Sequence, residues 1–385
     1  MVKSHRIAAE PRRSGISIPL CNYLAVGEYR PAEQVSAGAL DGWEAVFANA
    51  DQWRLDSALV HNVLAKNLAP AIPAVTLPDG RMTITAALER RLATHRERNR
   101  ALGLRLKELV GALNAHDIVP VLIKGSRSIW LGRPEWRSLR DLDLLVPGRD
   151  AEKAQAIAIA AGFVPEGGPE RFGTWHHRPN LYRPDLPGWI EIHNRGGVPR
   201  AEQFISTGEL VAAGREVPSP DGRVRLLPPH LHVLHGMVHH HVGHDAGKRG
   251  EIDLKGLYEF AAGVAALDAK QLCALAERAA RHPRLLAIMD LWTAGAADIF
   301  GLTVRAPLSV SEDAAAWWQA VRHRTDSDRP AASNRTARAE ELAAASAFGR
   351  LRRAPYGKNA LARLAWRAAI ALSFVQRPAL LPAWF

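Results

Sequence analysis

Cysteine is nearly absent from this 385-residue chain, which has only Cys21 and Cys273, far apart and without metal-type neighbours. That excludes a disulfide framework or a zinc ribbon as the scaffold and makes a reducing, cytoplasmic setting the expected one. Long apolar runs are lacking too. Met1 to Pro19 is basic but holds no stretch of signal-peptide length. Ala368 to Val375, just after Arg363 and Arg367, falls far short of the roughly 20 residues a membrane helix needs. No membrane partner is expected. Internal repeats and long low-complexity tracts are also missing.

What is present is ordinary globular composition, 47% hydrophobic and 23% charged. The length allows two or three compact domains, each with its own core. Lys and Arg outnumber Asp and Glu by 50 to 39, for a net charge of +11. Such a balance suits a phosphate-rich partner, whether a nucleotide, RNA or an anionic surface, without choosing among them.

The first 80 residues read as a loop-rich entry with helical turns around Trp43 to Leu68, then breaks at Pro70, Pro73 and Pro78-Asp79-Gly80. A long helix is predicted from Thr83 to Ala115. Leu88, Leu92, Leu102, Leu106, Leu109 and Leu113 recur there at helical spacing, and Arg90, Arg91, Arg96, Arg98 and Arg100 occupy a solvated face. From Val119 the pattern changes to short β runs at 120–123, 141–146, 180–183 and 189–193, with a helix over 151–161. Beyond Pro228-Pro229 apolar stripes predict helices near 229–244, 250–264, 268–281, 283–299, 311–323, 335–352 and 358–376. The expected fold class is α+β. A small mixed-sheet core at 117–200 would lie between an N-terminal helical cap at 1–116 and a C-terminal helical domain at 201–385.

The chemistry gathers in that core. On a strand, residues two apart share a face, so Asp141 and Asp143 point one way while Leu142, Leu144 and Val146 point into the core. Two carboxylates roughly 7 Å apart repel unless a cation sits between them. Mg²⁺ favours one or two carboxylates plus phosphate oxygens. In Trp189-Ile-Glu-Ile-His193 the same alternation puts Glu191 and His193 on one face. If the strands are neighbours, three acids could hold two metals around an in-line phosphoryl displacement. Lys124-Gly125-Ser126-Arg127 leaves the first strand and opens a short helix through Trp130, where backbone N–H groups and the Ser126 hydroxyl could meet a phosphate. Arg133, Arg137 and Arg140 follow on the loop to Asp141, suited to a triphosphate tail.

These residues carry a resemblance. Val-Leu-Ile-Lys-Gly-Ser and Trp-Arg-Ser-Leu-Arg-Asp-Leu-Asp-Leu-Leu-Val, within 121–146, resemble uncharacterised bacterial nucleotidyltransferases of the DNA polymerase β superfamily. Arg137 fills that family's arginine position four residues before the first aspartate. Ala-Ala-Gly-Phe at 160–163, His176-His177, Glu-Ile-His at 191–193 and the proline-opened histidine helix look similar too. The likeness spans about residues 100–262, and the 16-position step from Gly125 to Asp141 is longer than in many relatives. It implies an enzyme in which Asp141, Asp143 and Glu191 bind Mg²⁺, with Mn²⁺ as a substitute, and Glu191 helps to deprotonate the acceptor. Lys124, Gly125, Ser126, Arg137, Arg140 and His193 would contact an NTP such as ATP. The acceptor could be a small molecule, a peptide or protein, or RNA.

Seven of the 16 histidines fall between His230 and His244. Leu231, Leu234, Val238 and Val242 form the helix's buried stripe, so the histidines are expected mainly to pack or to contact phosphate. The pairs His235/His239 and His240/His244 have metal-ligand spacing. His244-Asp245, with Asp253 beyond, admits an HD-type metal phosphohydrolase as the rival enzyme. A non-catalytic nucleotide-binding module of the same fold is the other alternative, and none of the three acids is missing.

Overall fold

The computed structural model describes residues 24, 50, 54–65, 75–77, 80–82, 84–132, 137, 139–148, 150–166, 176–185, 187–244 and 253–326. The helices predicted at 335–352 and 358–376, including Ala368 to Val375, lie outside the described residues.

Helix α1, Asp56–Ala65, buries Leu59, Val60 and Val63. Strands β1, Val75–Leu77, and β2, Gly80–Met82, form a separate antiparallel pair. Helix α2 then runs 31 residues, Ile84–Asn114, about 46 Å at the α-helical rise. Its leucine stripe serves two cores. Leu88 and Leu92 join one apolar cluster, and Leu102, Leu106, Leu109 and Leu113 join the other. Asn114 fastens the far end: its amide donates to the Ile118 and Arg223 carbonyls, and its oxygen accepts the Arg223 N–H at 2.6 Å.

The central sheet combines β3, Val121–Leu122; β4, Asp141–Leu145; β5, Val164–Pro165; β6, Leu181–Tyr182; β7, Trp189–His193; β8, Arg215–Ser219; and β9, Gly222–Leu226. Its order is β5-β6-β7-β4-β3-β9-β8, with β4 parallel to β7, β3 parallel to β9, and the other neighbours antiparallel. Helix α3, Lys124–Leu131, follows β3, and α4, Ala151–Ala160, follows β4. The strands expected at 120–123, 141–146 and 189–193 thus share one mixed sheet, and the fold is α+β.

The β8–β9 hairpin joins β3 edge-on, so the sheet continues past residue 200 to Leu226. The alternating segment Arg-Val-Arg-Leu does not announce itself, because β8 forms the sheet's edge and both strands leave most of their residues partly or fully exposed.

Leu122, Leu142, Leu144, Ile190, Ile192 and Val224 fill the core under α2 and α4. Val121, Ile123 and Leu145 turn the other way, into the larger core made by the C-terminal helices. Those are α5, Thr207–Ala213; α6, Pro229–Val238; α7, Leu254–Ala265; α8, Ala269–Ala280; α9, Pro283–Phe300; and α10, Glu312–Asp326. Pro229 and Pro283 open α6 and α9, where a missing N–H costs nothing. Asp268 and Gln271 form a capping box on α8. A π turn, His239–Gly243, prolongs α6. No described helix is long and apolar enough to cross a membrane.

Candidate active site

The β4–β7 register sets Asp143 opposite Glu191, Asp141 opposite Trp189 and Leu145 opposite His193. Because Leu142, Leu144, Ile190 and Ile192 are committed to one core, the alternation of side chains puts Asp141, Asp143, Glu191 and His193 on the opposite face. Asp143 and His193 are sealed from solvent, at 1% and 0% exposure. Glu191 and Asp141 are half-buried at its margin.

The turn after β3 closes on this row. Lys124 Nζ donates to Asp143 Oδ1 at 2.7 Å, and His193 Nε2 meets the same oxygen at 2.8 Å. His193 Nε2 also lies 3.3 Å from Glu191 Oε2. The buried Ser126 hydroxyl accepts the Asp143 backbone N–H at 2.6 Å. Lys124 adopts φ +47°, a left-handed conformation that side-chain-bearing residues rarely take. Gly125 has a packing duty: a Cβ there would come within 2.5 Å of Leu139 Cδ2, just ahead of β4. Gly188 is tighter still, since a Cβ would meet the Arg140 carbonyl oxygen at 2.0 Å. That carbonyl accepts the Trp189 N–H where β7 begins.

Electrostatics divide the two aspartates. Burial would push Asp143 up, but the Lys124 ammonium and the His193 hydrogen bond outweigh it and hold the carboxyl far below its usual range. Burial would lower Lys124, yet Asp143 and Glu191 raise it. Asp141 goes the other way, pushed up by burial and then by the Asp143 charge. The row therefore contains one neutralised acid and one repelled acid.

The arginines separate. Arg137 is held bidentately by Glu259 of α7, at 2.9 and 2.7 Å, and donates to Ser128 Oγ at 3.1 Å. Its guanidinium braces α3 against α7 instead of reaching into open space. Arg140 is exposed at the head of β4. Arg133 and Asp245 lie outside the described residues. Lys255 and Glu259 were not legible as site residues: Lys255 lowers Asp141, and both sit on α7 more than a hundred residues downstream.

The histidine helix lies near the acidic row, for the Lys124 charge acts on both His235 and His239. His235 Nε2 binds the Gly196 carbonyl at 2.6 Å, and Trp292 Nε1 donates to His241 Nδ1 at 3.2 Å. Burial lowers His239 well below its ordinary value, with the Lys124 charge adding to it. His176, 5.2 Å from His193 between ring centres, is likewise lowered by burial and by His193.

A mixed sheet that pairs two acid-bearing strands beside a strand–Gly-Ser–helix turn agrees with the nucleotidyltransferase class that the sequence resembles. The profile of the uncharacterised nucleotidyltransferase family matches residues 39–301, and the chain belongs to that family. It is thereby an enzyme of the nucleotidyltransferase kind, and the family takes precedence over the phosphohydrolase alternative. No curated protein matches the chain. The solution structure of the antibiotic-resistance factor ANT(2'')-Ia is 15% identical with a TM-score of 0.32, the match covering 49% of this chain and 94% of that one.

Proposed function

We propose that this enzyme transfers a nucleoside monophosphate from an NTP to an acceptor, using Asp141, Asp143 and Glu191 as its catalytic carboxylates. An acceptor oxygen attacks the α-phosphorus, the bond to the β-phosphate oxygen breaks, and pyrophosphate leaves. The observation that supports this reading is the in-register pair Asp143 and Glu191, with Asp141 on the same face and the Lys124-Gly125-Ser126 turn against it.

The donor set fits a divalent cation. Asp141 is raised by burial and by its neighbour's charge, a repulsion that a cation would relieve, and carboxylate oxygens suit Mg²⁺ or Mn²⁺. Asp141, Asp143 and Glu191 would hold it, with two ions as the expected number. When bound, the metal supplies charge stabilisation at the phosphoryl oxygens. The chain's own groups do the rest. His193 holds Asp143 and Glu191 in mutual orientation, and Glu191, the more accessible of the two, takes the acceptor's proton. Lys124 balances Asp143. Arg140 and the Gly125-Ser126 turn bind phosphate, and Arg137 positions that turn through Ser128. Catalysis of this type is mostly positioning and electrostatics.

The acceptor belongs to one of three classes: a small molecule, a peptide or protein hydroxyl, or an RNA end. The scarcity of cysteine supports a reducing, cytosolic setting as part of this reading. Three parts serve it: the N-terminal helical cap, the sheet core extended to Leu226, and the C-terminal helical domain. The test is incubation with each α-labelled NTP and members of each acceptor class, with and without Mg²⁺. Label should move to one acceptor class with stoichiometric pyrophosphate. Metal-independent release, or wild-type release by Asp141→Asn, would remove the assignment.

A further inference from the structure

We propose that His240, His244 and Asp253 form a second metal site, for a divalent transition metal of the zinc class, apart from the acidic row on β4 and β7. Each residue offers one ligand atom, and the three atoms lie within 4.8 Å of one another. An ion with bonds of about 2.1 Å gathers ligands up to roughly 4 Å apart. Binding requires a small closing movement of His244, which lies at the exposed side of the group. Two imidazoles and one carboxylate leave a coordination position open, as catalytic and regulatory zinc sites do. Imidazole nitrogen also favours zinc-class ions over Mg²⁺.

The surroundings of His240 are built around its ring. Gly256 on α7 faces it, and a Cβ there would stand 2.5 Å from Cγ and 2.9 Å from Nδ1. Only glycine leaves room for the imidazole in this place. His240 Nδ1 lies 2.9 Å from Asp253 Oδ2, while Nε2 faces Glu259 Oε2 at 3.9 Å. With Nδ1 as the ligand atom, Nε2 turns toward Glu259, whose carboxylate adds negative charge near the ring without a direct hydrogen bond. The π turn that carries His240 closes with the His244 N–H on the His239 carbonyl at 3.1 Å. Such turns recur at functional sites. Glu259 also grips Arg137, which touches Ser128 on α3.

The competing explanation is a staple. Asp253 also caps α7 by accepting the Lys255 N–H at 3.1 Å, so its bond to His240 could serve folding alone. Zinc titration of the full chain by calorimetry, under saturating Mg²⁺ and after chelator treatment, separates the two. We expect one zinc per chain in the wild type and in Glu191→Gln. Affinity should fall at least about tenfold in His244→Ala and in Asp253→Asn. Asn still caps a helix, and the metal-free melting temperatures of both variants, measured alongside, show that the fold persists. The proposal is overturned by any of three results: no stoichiometric zinc in the wild type, wild-type affinity in both site variants, or loss confined to Glu191→Gln. A chain that binds zinc as described yet transfers no nucleotide would count against the transferase reading alone.

Discussion

Asp143 and Glu191 stand directly opposite each other on adjacent parallel strands, and one buried nitrogen, His193 Nε2, reaches both, at 2.8 and 3.3 Å. A single imidazole thus fixes the spacing of two acids that come from segments 48 positions apart.

The two aspartates should respond differently to neutralisation. Asp141→Asn relieves a repulsion and is expected to keep or slightly raise the melting temperature. Asp143→Asn removes the nearest compensating charge from the buried Lys124 ammonium and should cost about 3 kcal/mol of stability. Sequence alone predicts little change in folding for either. Both should lower turnover by roughly a thousandfold or more, as expected when a metal-binding charge is removed. Denaturant unfolding and pyrophosphate release on the same preparations check both halves. Equal stability loss in the two variants would contradict this division of charge.

Glu191→Gln keeps shape and a hydrogen-bond partner for His193 while removing the charge. Turnover should drop by about two to four orders of magnitude, while NTP binding through the Lys124-Gly125-Ser126 turn partly survives. Nucleotide affinity by calorimetry beside single-turnover rates shows whether the loss lies in chemistry or in binding.

Arg137 and Glu259 join segments 122 positions apart through two hydrogen bonds. Glu259→Gln strands a mostly buried guanidinium and should cost about 3 kcal/mol. The paired change Arg137→Met with Glu259→Leu removes both charges and should recover most of that loss, because the desolvation cost of the pair disappears as well. A double variant as unstable as the sum of the single ones would mean the pair itself contributes strongly.

His235 supplies an acid sensitivity. Burial lowers its pKa from 6.5 to about 4 in the folded chain. As pH falls through 6.5 the unfolded chain takes up a proton that the folded chain refuses, so stability declines from there down to about pH 4. Between pH 7 and pH 5 this group alone should cost roughly 2 kcal/mol. His235→Gln keeps a donor for the Gly196 carbonyl and does not titrate, so its urea midpoint should vary less over that range. Parallel pH slopes for wild type and variant would assign the acid loss to other groups.

Strand periodicity and residue order carried much of this molecule openly. Asp-Leu-Asp and Ile-Glu-Ile-His declare which side chains share a face, because the two-residue alternation of a strand is a property of local backbone geometry. The long leucine stripe of α2 and the proline-opened α6 were legible for the same reason, since helical period and start signals are local. Which strands become neighbours is not local. The Asp143–Glu191 register, the β3–β9 pairing that carries the sheet past residue 200, and the clasp of Arg137 by Glu259 each join segments distant along the chain. The meeting of His240, in the π turn, with Asp253 at the start of α7 is likewise set by packing. Such contacts depend on which apolar faces must be covered together, and the two cores on either side of the sheet settle that jointly. The sequence therefore determined the faces of the candidate site, and only tertiary packing decided which charges meet on them.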